Sequence, residues 1–274
     1  MVTTATTTMI PALKALWKEA FGDTDEYINF FFSQGLKPDR TFLYLQNGYP
    51  VSMAFVLPGE LCVNDNYIPI GYIYGVATCK DFWGKGYSTQ VLRYIQQQYP
   101  VTFLVPSTES LFHFYARNGY HTTFRLNEVK FSLEQLREPD ALVVWQDINP
   151  KEYKTIRDNY FHGTGYLRWD EPTIAYALAE NILCNGSALK VKTPLADYSE
   201  AILLYRCHKQ ELIIKETTLS GKLLEDVAYC LMMRTDTSTC QVRLRPKSSA
   251  TDKAFAMLHG KDDINSGYCN LVLD

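Results

Sequence analysis

Gly75-Val76-Ala77-Thr78, then Asp81-Phe82-Trp83-Gly84-Lys85-Gly86-Tyr87-Ser88, then the apolar-striped run from Thr89 to Gln98 follow one another along the chain, and their order decides the fold. A β-branched and aromatic strand breaks at a glycine-rich turn and opens directly into a helix. Backbone N–H groups at that helix N-terminus lack intrahelical partners, and the dipole there favours an anion. This is a junction suited to a phosphate.

Upstream, Thr41–Gln46 and Tyr49–Leu57 read as strands joined by Asn47-Gly48, a strong two-residue hairpin signal. Pro58-Gly59 and Asn64-Asp65-Asn66 mark two more turns before the extended stretch Tyr67–Thr78, so an antiparallel meander leads into the junction. Two helices are expected before any sheet. The first follows Pro11, carries Leu13, Leu16, Trp17, Ala20 and Phe21 on one face, and ends at Gly22. The second opens on a capping box of Asp23 and Glu26 and turns Tyr27, Phe30 and Phe31 inward.

Downstream, the helix after the junction buries Val91, Leu92, Ile95 and Tyr99, and Pro100 stops it before the apolar strand Val101–Val105. Thr108 and Glu109 open a helix carrying Leu111, Phe112, Phe114 and Tyr115, which Asn118-Gly119 ends before the strand Tyr120–Phe131. Glu134–Asp140, charged and containing Pro139, reads as a linker. The remainder repeats the order: helices over Pro150–Phe161 and Glu171–Leu183, strands near Ala188–Lys192, Ala201–Cys207 and Glu211–Leu219, a helix over Lys222–Met233, and the strand Cys240–Arg245. The fold class is therefore α+β, a mixed, mainly antiparallel sheet flanked by helices, in two copies. The domains are expected at residues 1–135 and 136–274.

Bulk properties narrow the partners. With 27 Lys and Arg against 30 Asp and Glu, the net charge of −3 lacks the excess that nucleic-acid binding usually needs. No apolar run approaches the roughly 20 residues that span a bilayer, so neither a nucleic acid nor a membrane is an expected partner. Seven scattered cysteines, without C-x-x-C or His at ligand spacing, suggest buried thiols in a cytoplasmic protein and no metal site.

The N-terminal half, over roughly residues 10–132, resembles the GNAT N-acetyltransferases, in a tandem arrangement with a degenerate second half. Gly75-Val76-Ala77-Thr78 is similar to the family's central strand, which bonds the pantetheine arm. Trp83-Gly84-Lys85-Gly86-Tyr87-Ser88 matches the pyrophosphate loop Q/R-x-x-G-x-G/A, with Trp83 and Ser88 as departures. Phe114-Tyr115-Ala116-Arg117-Asn118-Gly119-Tyr120 is similar to the F-Y-x-x-x-G-F segment. The resemblance implies acetyl-CoA as cosubstrate, bound by Val76, Ala77, Thr78, Trp83, Gly84, Lys85, Gly86, Tyr87 and Ser88. It implies acetyl transfer to a primary amine on a small molecule or peptide, with Tyr115 as the acid that protonates the leaving thiolate.

A phenol of pKa about 10 can protonate a thiolate of about 8.5 only when held within hydrogen-bond reach. The general base is open between Glu60 and Asp65, nearby in sequence, and the terminal carboxylate of Asp274, which the resemblance to tandem-GNAT acetyltransferases that use a chain terminus implies as a third option. Ser220-Gly221 has one glycine where the working loop has two, and Glu225 and Asp226 follow it, so residues 136–274 are expected to bind no cofactor. Two rivals remain: a GNAT-like CoA-binding sensor or scaffold without catalysis, and an aminoacyl transferase using charged tRNA. The intact Gly84 and Gly86 loop and the mild acidity weigh against the latter.

Overall fold

The computed structural model describes residues 1–63, 66–162, 165–192, 200–247, 252–264 and 267–273. The chain divides into two compact units that interleave in sequence. Met1–Leu61, Tyr67–Phe124 and Phe255–Ser266 make the first, and Cys62–Asn66, Arg125–Ala254 and Gly267–Asp274 the second. The single cut expected between residues 135 and 136 is thus replaced by a division inside a strand, at Phe124/Arg125, with a late segment returning to the first unit.

In the first unit a strand precedes the helices, contrary to the sequence reading: β1 (Val2–Thr4) pairs antiparallel with β2 (Thr41–Gln46), Val2 opposite Tyr44. The helix α1 (Ile10–Phe21) buries Leu13, Leu16 and Trp17, and its end is set by Gly22, at φ 72°. The helix α2 (Asp25–Phe30) is capped by Thr24, whose side chain accepts from the Tyr27 N–H. Asp23 is not the cap; its carboxylate accepts from the Trp17 indole at 2.7 Å. A π-helical turn over Phe31–Gly35 continues α2, and the buried residues are Ile28, Phe31 and Phe32 rather than Tyr27, Phe30 and Phe31. The wider turn rotates the apolar face away from an ideal 3.6-residue period. Trp17 centres an aromatic cluster, 4.4 Å from Phe31 and 5.5 Å from Phe55 between ring centroids.

Asn47 (φ 52°) and Gly48 (φ 83°) form the hairpin between β2 and β3 (Tyr49–Val63). Then come β4 (Asn66–Thr78), α3 (Tyr87–Gln98), β5 (Thr102–Leu104) and α4 (Glu109–Ala116). Parallel pairing of β4 with β5 follows from the α3 crossover between them. The helix α3 buries Val91, Leu92 and Ile95 completely against Phe42, Ile73, Leu104, Tyr115 and Met257. Each such side chain stabilises the unit by about 1.5–3 kcal/mol. Met257 comes from β13 (Lys253–His259), which lies antiparallel beside β5 with Met257 opposite Leu104. The strand order is β1-β2-β3-β4-β5-β13.

The second unit follows a similar progression. It contains most of β6 (His121–Ser132), then β7 (Val144–Asp147), α5 (Pro150–Phe161), β8 (Tyr166–Arg168) and α6 (Glu171–Leu183). The strands β9 (Gly186–Lys192), β10 (Ala201–His208) and β11 (Glu211–Thr217) form an antiparallel meander. After α7 (Gly221–Thr235), β12 (Thr239–Leu244) runs parallel to β11 and antiparallel to β6. Both units therefore show a meander, a helix, a parallel strand and a final antiparallel strand. That final strand is β13 in the first unit and β6 in the second, so each unit takes it from the other half of the sequence.

Three of the short strands, β1, β7 and β8, carry too few residues to show a period, and the sequence reading missed them with β13. Both units have the mixed, mainly antiparallel sheet flanked by helices that the sequence implies. Among the described residues, no helix is long and apolar enough to cross a membrane.

Candidate active site

The site begins where β4 and β5 part. Their parallel register runs only through Gly71/Thr102 and Tyr72/Phe103, yet β4 continues to Thr78. The Tyr72 and Phe103 rings, stacked at 4.6 Å, lie at the last paired position. Gly75 interrupts the extended strand at φ 61°, and a Cβ there would stand 2.8 Å from the Phe55 ring and 3.0 Å from Trp17. Only glycine meets both demands. Past this point Val76, Ala77 and Thr78 line a cleft of about 560 Å3.

The end of β4 is held from both sides. The buried Ser52 hydroxyl donates to the Ala77 carbonyl at 3.0 Å and lies 2.9 Å from the Thr78 hydroxyl, while the Cys79 N–H donates to Val51. From the turn, the Trp83 indole N–H donates to the Thr78 carbonyl at 2.7 Å, leaving the ring 65% exposed in the cleft wall.

The turn then presents backbone to open space. Gly84 and Gly86 both adopt φ 75°, and nothing lies within 4 Å of where a Cβ on either would be. Alternating left-handed glycines aim successive N–H groups into one concavity. No side chain caps α3, so Ser88 does not serve as a cap, and Gln90 N–H to Gly86 O opens its backbone ladder. The amides of Tyr87 and Ser88 precede that bond and are available to an anion. Tyr87 fixes the start of the helix by stacking on Tyr44 at 4.0 Å. Lys85 is the one predicted binding residue whose side chain is not brought into the cleft wall. Its ammonium donates to the Asp81 carbonyl at 3.0 Å and sits 4.6 Å over the Phe82 ring.

Tyr115, on α4, lines the same cleft. It is buried apart from its access to the cleft, and its hydroxyl has no hydrogen-bond partner among the described residues. Burial, with Tyr120 adding to it, pushes its phenol well above the ordinary value. Tyr120 packs edge-on at 5.9 Å, is itself pushed up to about 12 by burial, and shares a 2.9 Å hydrogen bond with Thr102.

The structure adds wall residues that the sequence reading did not assign to the site: Ala20 and Phe21 from the end of α1, Phe82 from the turn, and Ser107, Ser110 and Phe114 around α4. The sequence carried no signal for them: Phe21, an apolar residue at a helix end, reads there as core, yet it remains 44% exposed in the structure. No charged residue lines the cleft among the described residues. Of the three base candidates, Glu60 is not in the wall, and Asp65 and Asp274 lie outside the described residues. Nor does any group of three or more His, Cys, Asp or Glu side chains among the described residues suit a metal ion.

At the corresponding β11–α7 junction of the second unit, a single left-handed glycine, Gly221 at φ 56°, precedes Lys222, which is paired with Asp226 at 2.7 Å. This unit instead concentrates buried polar groups around Arg157. That side chain is fully buried, bonds Glu216 at 2.9 Å and the Leu167 carbonyl at 2.7 Å, and its Glu216 partner also accepts from Tyr153 at 2.7 Å. Leu271, Val272 and Leu273 are buried as well, with the Trp169 indole donating to the Leu271 carbonyl.

Residues 2–123, a little under half of the chain, match a family model described as an acetyltransferase (GNAT) domain. No curated protein matches the sequence. Among solved structures, a conserved protein of unknown function from Enterococcus faecalis, titled a probable N-acyltransferase, is similar with a TM-score of 0.74 at 15% identity, over 94% of this chain and 72% of that one. A GCN5-related N-acetyltransferase from Kribbella flavida gives 0.70 at 15%, over 94% and 71%. Eis1 from Mycobacterium abscessus gives 0.66 at 11%, over 96% and 74%. At such identities these likenesses establish the fold.

Proposed function

We propose, from the match of residues 2–123 to an acetyltransferase (GNAT) domain model, that the protein is an acyltransferase that moves the acetyl group of acetyl-CoA to a primary amine by direct attack. One observation carries the reading: a single cleft joins the parted end of β4, the two left-handed glycines before an uncapped α3, and the Tyr115 hydroxyl. The empty positions beside Gly84 and Gly86 fit a pyrophosphate, which a Cβ at either glycine would crowd.

The chain's own groups divide the work. The amides of Gly84, Lys85, Gly86, Tyr87 and Ser88 hold the pyrophosphate, and Lys85 adds a charge at the turn. The Trp83 ring packs on the cofactor. Thr78 lines the pantetheine path, and the Val76 and Ala77 amides donate to the oxyanion that develops at the thioester carbonyl. Tyr115 stays protonated because its site is buried, so it hydrogen-bonds the departing sulfur and passes its proton on as the amine's proton replaces it. Moving both protons together avoids an isolated buried phenolate. The second unit binds no cofactor on this reading, which its single junction glycine supports.

A CoA-binding sensor is the second reading, favoured by the uncharged cleft wall, which supplies no general base among the described residues. Calorimetry with acetyl-CoA, followed by thiol release across a panel of amines, tests both. Binding with amine-dependent thiol release fits the enzyme, binding alone fits the sensor, and absence of binding overturns both.

A further inference from the structure

The cleft wall is unusual in chemistry rather than shape. Phe21, Phe82, Trp83, Tyr87, Phe114 and Tyr115 give it six aromatic rings, Leu111 adds an aliphatic surface, and the remaining polar contributions are neutral hydroxyls such as Ser107 and Ser110. Two nearby charges are engaged outside the lining: the Lys85 ammonium lies on the Phe82 ring and the Asp81 carbonyl, and the Glu19 carboxylate accepts from the Lys80 N–H at 2.8 Å. A cation entering such a wall loses water without gaining a counter-charge. An aromatic face repays part of that loss for a small ammonium, but not for a polycation whose remaining charges also need partners.

Nucleophilic attack requires the free base. An alkylamine with a pKa near that of lysine, about 10.4, is neutral in roughly one molecule in 2,500 at pH 7. An amine on an aromatic ring is neutral there without help, and its ring packs on aromatic walls in offset or edge-on geometry. Resting on the acetyl-transfer reading above, we infer that the acceptor is a weakly basic aromatic amine that enters as the free base against the ring wall containing Phe21, Phe82 and Phe114.

The reaction balances without a further reactant. The amine nitrogen forms a bond to the acetyl carbon, the carbon–sulfur bond breaks, and its electron pair goes to sulfur. Sulfur takes a proton from the Tyr115 hydroxyl, and the nitrogen gives up one proton that returns to Tyr115. The products are the N-aryl acetamide and the free thiol of CoA.

The test uses the full chain, acetyl-CoA and three acceptors, aniline, 2-phenylethylamine and spermidine, with thiol release as the readout and calorimetry for acetyl-CoA binding. Aniline is expected to lead in kcat/KM by at least about tenfold at pH 7 and to be flat toward higher pH, where basic amines gain about tenfold per unit. Preference for 2-phenylethylamine or spermidine overturns the inference while leaving acetyl transfer standing. Acetyl-CoA binding without release by any of the three overturns it too, whereas absence of acetyl-CoA binding removes the acetyl-transfer reading itself and this inference with it. The variant Phe21→Glu places a carboxylate on the wall and is expected to shift the spermidine-to-aniline ratio about tenfold toward spermidine. An unchanged ratio with acetyl-CoA affinity retained overturns the place of Phe21 in the acceptor wall.

Discussion

The indole of Trp83 donates to the carbonyl of Thr78 at 2.7 Å, so the residue that opens the glycine turn also fastens the end of the strand before it. Its ring is 65% exposed, whereas Trp17 and Trp169 are buried at 1% and 3%. Acetyl-CoA should therefore change tryptophan emission through Trp83, and Trp83→Phe should abolish that change. Losing one hydrogen bond while keeping an aromatic ring should weaken acetyl-CoA by about fivefold, equivalent to about 1 kcal/mol, with a further loss in Trp83→Ala, both read by calorimetry.

Gly86→Ala separates folding from binding. The left-handed backbone costs a non-glycine residue about 1–2 kcal/mol. The new methyl group meets no protein atom within 4 Å. The variant should fold, with a melting temperature lowered by only a few degrees, and lose about tenfold or more in acetyl-CoA affinity because the methyl occupies the anion's space.

Tyr115→Phe should lower kcat by about 100-fold or more while leaving acetyl-CoA affinity within about twofold, as expected for a proton donor that is not a binding group. The hydroxyl has no partner among the described residues, so its removal strands no protein group and the fold should be retained.

Stability should also fall on the alkaline side. Tyr115 and Tyr120 both have phenols raised by burial, Tyr120 to about 12, against about 10 for an exposed tyrosine. A raised folded-state value means that the unfolded chain releases its proton first. The contribution is therefore complete below pH about 10, and for Tyr120 it is lost as pH rises from there to about 12. Urea unfolding of the wild type at pH 9 and 11 should show this loss, and Tyr120→Phe should show a smaller dependence on pH.

In the second unit, Arg157→Met should destabilise by about 3–5 kcal/mol because it leaves the Glu216 carboxylate buried without its cation. Both side chains are fully buried and paired at 2.9 Å. Arg157→Met combined with Glu216→Leu should recover part of the loss. Urea midpoints for the two variants check both outcomes.

The sequence by itself determined the parts whose physics is local. Asn47-Gly48 specified its hairpin, alternating glycines at 84 and 86 specified a left-handed turn into α3, and Val91, Leu92 and Ile95 specified which side of α3 is buried. The segment from Phe114 to Tyr120 carried its resemblance to the acetyltransferase motif in sequence, and Tyr115 lies in the lining of the cleft.

Only the tertiary structure decided which segments those parts meet. Met257 lies opposite Leu104, more than a hundred residues away in sequence, and the short strand β1 joins β2 with no period long enough to announce it. The apolar Phe21 gave no sign that it would be a cleft wall rather than core, and Lys85 gave none that it would fold back onto Phe82. Turns and helix faces are fixed by backbone sterics and spacing within a few residues. Strand partners and cleft walls depend on which distant surfaces are left to bury and pair, and a single sequence carries no local mark of that choice.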